Sequence, residues 1–204
     1  MNKIKYLLGA VLITLAISAS AQLPRIKSKP LGDVDPGLVQ KADQTIVYGS
    51  FMRIPGMWNA SGSSYIYIAN IDTKQVYTFE VKTNNSMAKE STFCNFIDPG
   101  RYVILYYQHG KSKWYGSEVW RTPVFKNVNI YQNLKAKVDS GLLKADTLKH
   151  FFFIIDKPGL IYLGKWHFEN GIVSFSNDKA EVDKKIPRDY YFLEMDKART
   201  IIPN

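Results

Sequence analysis

The stretch from Phe151 to Phe175 constrains the fold most, because it has the pattern of three β-strands joined by two tight turns. Phe151–Ile155 is apolar and favours a first strand, and Leu160–Phe168 favours a second. Between them, Asp-Lys-Pro-Gly at 156–159 predicts a type II turn, since proline presets φ and glycine accepts the positive φ that follows. The stretch therefore predicts consecutive strands rather than helix.

The second and third strands of this stretch are joined by Asn170-Gly171, the favoured pair of a type I′ hairpin turn. Ile172–Phe175 then returns as the third strand. Gly164 interrupts the middle strand, and a glycine inside a strand usually marks a β-bulge. We expect such a bulge to change the direction in which Trp166 and Phe168 point.

The same order of apolar strand, Asp, Pro-Gly and aromatic strand occurs earlier in the chain, with Phe93–Ile97, Asp98-Pro99-Gly100 and Arg101–Tyr107. We interpret the repeat as a good turn sequence wherever two strands meet. An internal pair of related β-units is the alternative. Side chains of Asp98 and Asp156 are predicted to cap backbone N–H groups at their turns.

Other segments predict further strands. Thr45–Met52 predicts a first strand, and Tyr65–Ile71 with Val76–Val81 predicts a hairpin over the polar turn at 72–75. Gln108–Lys113 is polar and predicts a turn, while Tyr131–Lys149 is compatible with a short helix or a long loop.

The aromatic fraction of 14% suits strands, because rings fit a pleated and half-buried surface. One short helix is predicted at Lys179–Lys185, after Asn177-Asp178 as a cap and before Pro187. The predicted fold class is therefore mostly β: an antiparallel β-sandwich with one or two short helices.

The N-terminus has the pattern of a secretory signal peptide over residues 1–21. Lys3 and Lys5 precede an apolar run at Tyr6–Ile17, and Ala19-Ser20-Ala21 supplies a small-residue cleavage site before Gln22. The run is too short to span a bilayer, so we expect an exported chain, periplasmic or extracellular, with no transmembrane segment. Residues 22–43 predict an extended, poorly ordered lead-in, and residues 44–204 a single domain.

The charge of the chain limits which partners are expected, and its cysteine content limits which covalent crosslinks it can form. Loss of Lys3 and Lys5 with the leader lowers the formal net charge from +9 to +7, and the remaining basic residues are scattered, so nucleic acid is not expected as a partner. Cys94 is the single cysteine, which excludes an intramolecular disulfide, and its strand-like surroundings predict a buried structural thiol. We expect a monomer stabilised by core packing.

No catalytic motif is present: the sequence has no GxSxG, HExxH, paired CxxC or glycine-rich phosphate loop. The histidines His109, His150 and His167 have no metal-ligand spacing, so no metal and no cofactor are expected.

Aromatic side chains are the remaining candidates for binding. Flat rings near loops and strand ends form stacking platforms for sugars, and the residues with this placement are Trp58, Tyr65, Trp114 and Trp120. The core of a β-sandwich uses the same residue types, which is the alternative interpretation.

The second Pro-Gly unit, Lys157-Pro158-Gly159-Leu160-Ile161-Tyr162-Leu163-Gly164-Lys165, resembles the PGxYYLG strand of uncharacterised secreted or envelope proteins of bacteria. These proteins are similar to transthyretin-like, carboxypeptidase-regulatory-like sandwiches. Ile161 departs from the pattern, in which Tyr is more common. The resemblance implies a transthyretin-like or immunoglobulin-like fold and an exported location, and it brings no catalytic residue.

The function expected from the sequence is non-catalytic binding of a partner, an envelope protein or a glycan, in the bacterial envelope or extracellular space. Two alternatives stay open: a carbohydrate-binding module that uses exposed aromatics, and a hydrolase whose acidic or histidine site is assembled by the fold.

Overall fold

A computed structural model of the chain describes residues 27–35, 43–52, 64–81, 90–113, 116–123, 151–167, 173–186 and 190–204. This part of the chain is mostly β, as predicted. In chain order its elements are β1 Lys29–Pro30, β2 Thr45–Met52, β3 Ser64–Asn70, β4 Val76–Glu80, β5 Glu90–Phe96, β6 Gly100–Lys113, β7 Gly116–Pro123, β8 Phe152–Ile155, β9 Gly159–His167, β10 Ser174–Ser176, helix α1 Lys179–Lys185, a 3₁₀ turn at Met195–Lys197, and β11 Arg199–Thr200.

The strands form two sheets. Sheet 1 has the order β1-β4-β3-β6-β7, with β8 also paired to β6, and sheet 2 has the order β10-β9-β2-β5, with β11 also paired to β9. Both sheets are mixed, because β1–β4, β2–β9 and β9–β11 run parallel while the other pairs run antiparallel. The predicted antiparallel β-sandwich is therefore not confirmed: most pairs are antiparallel, but both sheets are mixed.

The Pro-Gly corners explain the parallel pairs. The corner at 98–100 carries the chain from β5 in sheet 2 to β6 in sheet 1, and the corner at 156–159 carries it from β8 in sheet 1 to β9 in sheet 2. Gly159 opens β9 with φ of +133° and pairs with Thr45, the first residue of β2. Since both strands start at the same end of sheet 2, they run parallel. The corners are crossings between sheets, so the second corner does not join two neighbouring strands of one sheet. The positive φ predicted for Gly159 is observed.

The predicted bulge in β9 is confirmed. The register with β2 shifts between the pairs Tyr48–Tyr162 and Ser50–Lys165, and Gly164 has φ of +91°. The shift places Leu163 and Trp166 in the same cluster between the sheets, whereas strict alternation would put them on opposite faces.

Local predictions also hold for β2, which has the predicted bounds, and for the β3–β4 hairpin. Asn70 Oδ1 accepts bonds from the backbone N–H of Asp72 and Thr73, at 2.9 and 3.0 Å, and so organises the hairpin turn. The turn predicted at Gln108–Lys113 was wrong. These residues continue β6, and their backbone pairs with β7. The segment Tyr131–Lys149 lies outside the described residues, as does the turn at Asn170-Gly171.

The inner faces of the two sheets share one hydrophobic cluster. Rings from both sheets meet in it, and Trp166 of sheet 2 lies 5.9 Å from Phe79 of sheet 1 and 5.2 Å from Phe93, centroid to centroid. The indole N–H of Trp166 donates to the Leu163 carbonyl over 2.8 Å, which satisfies its one buried polar group. This cluster joins the sheets.

Helix α1 and the residues after it cover the outer face of sheet 2. Helix α1 has the predicted bounds, although Asp178 makes no capping bond and instead approaches Lys165. Beneath the helix, Tyr48 donates to Asp183 over 2.7 Å and Cys94 is buried, as predicted. No helix in the described part of the chain is long and apolar enough to cross a membrane.

Candidate functional site

A cleft opens at the end of the molecule where the first Pro-Gly corner lies. Residues 27–35, here called the N-terminal segment, form one wall, because this segment bonds to both sheets. The Leu31 N–H donates to the Thr78 carbonyl of sheet 1 over 2.7 Å, and the Gly32 carbonyl accepts from the Phe96 N–H of sheet 2 over 2.8 Å. Part of the predicted lead-in therefore pairs with the fold and bridges one edge of the two sheets.

We call this cavity the edge cleft. Its volume is about 340 Å³, at the small end of the range of roughly 300–1,000 Å³ that is typical of ligand clefts. Described residues that line it are Lys29, Pro30, Leu31, Gly32, Asp43, Gln44, Thr45, Tyr77, Phe96, Ile97, Asp98 and Pro99.

Charged groups in the edge cleft face solvent. Lys29, Asp43 and Asp98 are exposed, and none of the three forms an ion pair with another described residue. Their charges give the cleft a slight excess of carboxylate in a chain whose formal net charge is +9. Carboxylates without a cationic partner are available to accept hydrogen bonds from a ligand.

Tyrosines hold the corner on which Asp98 lies. The hydroxyl of Tyr102 is buried and donates to the Asp98 carbonyl over 2.7 Å, which fixes the backbone at the corner. The ring of Tyr77 packs at 6.3 Å from that of Tyr102. Burial, helped by the charge of Asp98, raises the pKa of Tyr77, so its hydroxyl stays protonated and serves as a donor at neutral pH.

The floor of the cleft includes Thr45. Val47 and Phe51 of the same strand point into the shared cluster, and side chains two residues apart lie on the same face of a strand. Thr45 therefore faces inward at the end of β2. It is 3% exposed, and its Oγ1 has no hydrogen-bond partner among the described residues. Leaving a buried hydroxyl without a partner costs about 1–3 kcal/mol. Ser50 and Ser91 also carry such hydroxyls, and of these three residues Thr45 is the one that lines the edge cleft.

Two residues of the predicted aromatic platform lie in described strands. Tyr65 is half-buried in β3 and pairs with Gln108, and the backbone of Trp120 in β7 pairs with His109. Tyr65 is not among the described residues that line the edge cleft. Trp58 and Trp114 lie outside the described residues, so the platform stays a prediction.

The two described histidines, His109 and His167, lie in different sheets. His109 is buried in sheet 1, with Nδ1 2.9 Å from Ser64 Oγ, which also accepts a bond from the Tyr107 hydroxyl over 2.8 Å. His167, at the far end of sheet 2, bonds to Ser176. His150 lies outside the described residues.

His167 belongs to a polar row at the end of sheet 2. His167 Nε2 lies 2.9 Å from Ser176 Oγ, and Ser176 donates to Asp178 over 3.3 Å. Among these three described residues the serine stands in the middle, whereas in a serine hydrolase triad the histidine lies between the serine and the carboxylate. Within the described ranges, no group of three His, Cys, Asp or Glu side chains is placed to hold a metal ion.

The sequence indicated only one residue of the cleft. Asp98 was noticed as a turn residue before Pro99-Gly100, but nothing local places Tyr77, Phe96 or Asp43 beside it. These residues come from three separate strands or strand ends, and the pairing of sheet edges brings them together.

Comparison with known proteins adds no assignment. No family model matches the chain, and no curated protein matches it. Among solved structures, a leucine-rich repeat protein from Bacteroides thetaiotaomicron VPI-5482 aligns with 42% of this chain at 9% sequence identity and a TM-score of 0.29. The alignment spans 12% of that protein, and a likeness at this level carries no argument about fold or function.

Proposed function

We propose that the chain is an exported binding protein of the bacterial envelope or extracellular space, and that it engages its partner through the edge cleft. The observation that carries the proposal is the cleft itself. It is a preformed cavity in which two carboxylates that form no ion pair with a described residue lie beside a half-buried tyrosine ring. Concave sites with an aromatic face and a few convergent polar groups are the usual form of small-ligand sites.

The signal-peptide pattern supports export, and the backbone bonds that build the cleft wall support a rigid site. Binding to a preformed site loses less conformational entropy than binding to a site that must order first. The walls belong to paired strands, so the protein holds the cleft open before the partner arrives.

Site-specific photocrosslinking in producing cells tests this proposal. A photoreactive phenylalanine derivative replaces Gly32, which lies in the cleft wall and where an added Cβ would approach Phe96 no closer than 3.6 Å. The same derivative at Lys157, an exposed residue of the second Pro-Gly corner, is the matched control. We expect a discrete crosslinked product from position 32 and none from position 157.

Equal products from both positions, or products from position 157 alone, would contradict the assignment of the partner to the edge cleft. Absence of any product at position 32, with the protein exported and folded, would contradict the cleft as the binding surface.

We further propose that the two sheets form a sandwich related to the transthyretin-like or immunoglobulin-like folds, as in the exported proteins with a PGxYYLG strand. Support comes from the hydrophobic cluster that the sheets share, and from the motif residues Tyr162, which is buried, and Gly164, which forms the bulge. The parallel pair β2–β9 is a departure that an experimental structure of the mature chain would test directly.

A further inference from the structure

The edge cleft contains both acceptors and donors. Carboxylates of Asp43 and Asp98 accept hydrogen bonds only, the Lys29 ammonium donates only, and the Tyr77 hydroxyl does both. The Lys29 ammonium repels a cationic ligand, and the two carboxylates repel an anionic one. A neutral ligand with many hydroxyl groups can form hydrogen bonds with the carboxylates, the ammonium and the tyrosine hydroxyl at once.

The apolar part of the lining has the complementary shape. Tyr77 and Phe96 are both half-buried, which leaves part of each ring at the cleft, and Pro30 and Pro99 are exposed beside them. The apolar faces of pyranose rings pack on such surfaces while their hydroxyls bond to carboxylates at the rim.

Thr45 supplies an independent observation. Its hydroxyl is buried, faces the cleft end of the shared core, and lacks a hydrogen-bond partner among the described residues. A side chain that needs only packing would be satisfied by valine, which has the same shape. A hydroxyl retained at such a position fits a site where a polar ligand atom completes its bonding.

We propose that the edge cleft binds a neutral pyranose unit of a glycan, with the carboxylates of Asp43 and Asp98 accepting its hydroxyl protons and Thr45 bonding at the floor. This inference rests on the proposed function and names the chemistry of the ligand. Binding is non-covalent and needs no cofactor. One ring in a cleft of this size binds weakly, with a dissociation constant on the order of millimolar.

Amide chemical-shift titration of the mature protein tests the ligand class. The probes are three panels of methyl glycosides: neutral hexosides, hexuronides, which carry a negative charge, and hexosaminides, which carry a positive one. We expect at least one neutral hexoside to shift the amides of Tyr77, Phe96 and Asp98. Hexuronides bind at least tenfold more weakly.

Variants separate binding from folding. Asp98→Asn reduces the affinity for the neutral sugar about tenfold, because a charge-assisted hydrogen bond is lost. Asp156→Asn, at the corner outside the cleft, leaves the affinity unchanged. Thr45→Val reduces the affinity but leaves the melting temperature unchanged or higher, since the hydroxyl has no partner to lose in the free protein.

Three results would overturn the inference: binding of hexosaminides alone, binding of no panel member, or full affinity in both Asp98→Asn and Thr45→Val. The proposed function is tested separately. Crosslinks from position 32 with no sugar binding would leave the cleft as a binding surface and exclude the neutral pyranose. Absence of crosslinks as well would contradict both.

Discussion

The two Pro-Gly corners have the same local sequence pattern and the same task of carrying the chain between sheets, yet they differ in what happens to the preceding aspartate. At the first corner, Asp98 forms no ion pair with a described residue and lines the edge cleft. At the second, Asp156 pairs with Arg199 of β11 over 2.6 Å, and Arg199 also donates to the Lys157 carbonyl over 2.6 Å.

The difference between Asp98 and Asp156 comes from the segment that lies beside each corner. Two segments bridge the sheets. The N-terminal segment bonds to Thr78 and Phe96, and residues 199–204, here called the C-terminal segment, bond to Tyr162 and Phe152. The C-terminal segment brings an arginine to its corner and neutralises the carboxylate. The N-terminal segment forms the wall of a cleft instead. One local motif thus becomes a structural corner or a candidate site according to the residues that the distant segment supplies.

The largest expected loss of stability comes from a change in the shared core, because both corners depend on it. Trp166→Ala removes a fully buried ring that contacts Phe79 and Phe93, and should lower the free energy of unfolding by about 3–5 kcal/mol. Equilibrium urea unfolding measures the loss, with Trp166→Phe as the control that keeps part of the packing and loses less. A loss below about 1 kcal/mol would contradict the assignment of Trp166 to the shared core.

A smaller effect separates the first corner from the second. Tyr102→Phe removes the bond from the hydroxyl to the Asp98 carbonyl, and should cost about 0.5–1.5 kcal/mol. Hydrogen exchange should show faster opening at 98–100 than in the parent chain and no change at 156–159. Equal acceleration at both corners would show that the bond does not act locally.

The stability that Tyr102 contributes is expected to depend on pH in the alkaline range. Burial raises the pKa of Tyr102 to about 12, whereas an unfolded tyrosine ionises near 10. The folded state holds the proton more tightly, so the contribution to stability is complete below about pH 10 and is lost as the pH rises toward 12. The gap in melting temperature between the parent and Tyr102→Phe should therefore shrink over that interval. A constant gap would contradict the burial of the hydroxyl.

The smallest effect tests the second corner. Arg199 lowers the pKa of Asp156, chiefly through the hydrogen bond between them. The ionised carboxylate is favoured by the fold, so this contribution is present above the unfolded pKa near 4 and is lost as the pH falls through the lower folded value. Arg199→Ala should flatten the acid limb of a melting-temperature profile slightly, since exposed ion pairs contribute little.

Features encoded by neighbouring residues could be predicted from the sequence. The strand-favouring run Thr45–Met52 predicted β2, and the polar turn at 72–75 indicated the β3–β4 hairpin. Gly164 marked the bulge, because few other residues adopt its φ of +91°. Cys94 was correctly placed in the interior. Each of these depends on backbone preferences or on the pattern of one segment.

Features that depend on distant partners could not be predicted. The parallel pair β2–β9 follows from the end at which the second corner enters sheet 2, and the polar run Gln108–Lys113 is a strand because β7 pairs with it. The two-residue strand Lys29–Pro30 is too short to leave a periodic signal. The cleft also depends on distant partners, since its residues come from the N-terminal segment and from sheet edges that meet only in the folded chain.

The most direct test of the difference between the corners is the yield of crosslinked product from position 32 in three exported chains: the parent, Asp98→Asn and Asp156→Asn. We propose that the carboxylate of Asp98, which forms no ion pair with a described residue, belongs to the binding surface, and that the paired carboxylate of Asp156 does not. The yield should fall several-fold in Asp98→Asn and remain at the parent level in Asp156→Asn. Equal yields in all three chains, or a fall only in Asp156→Asn, would contradict the account.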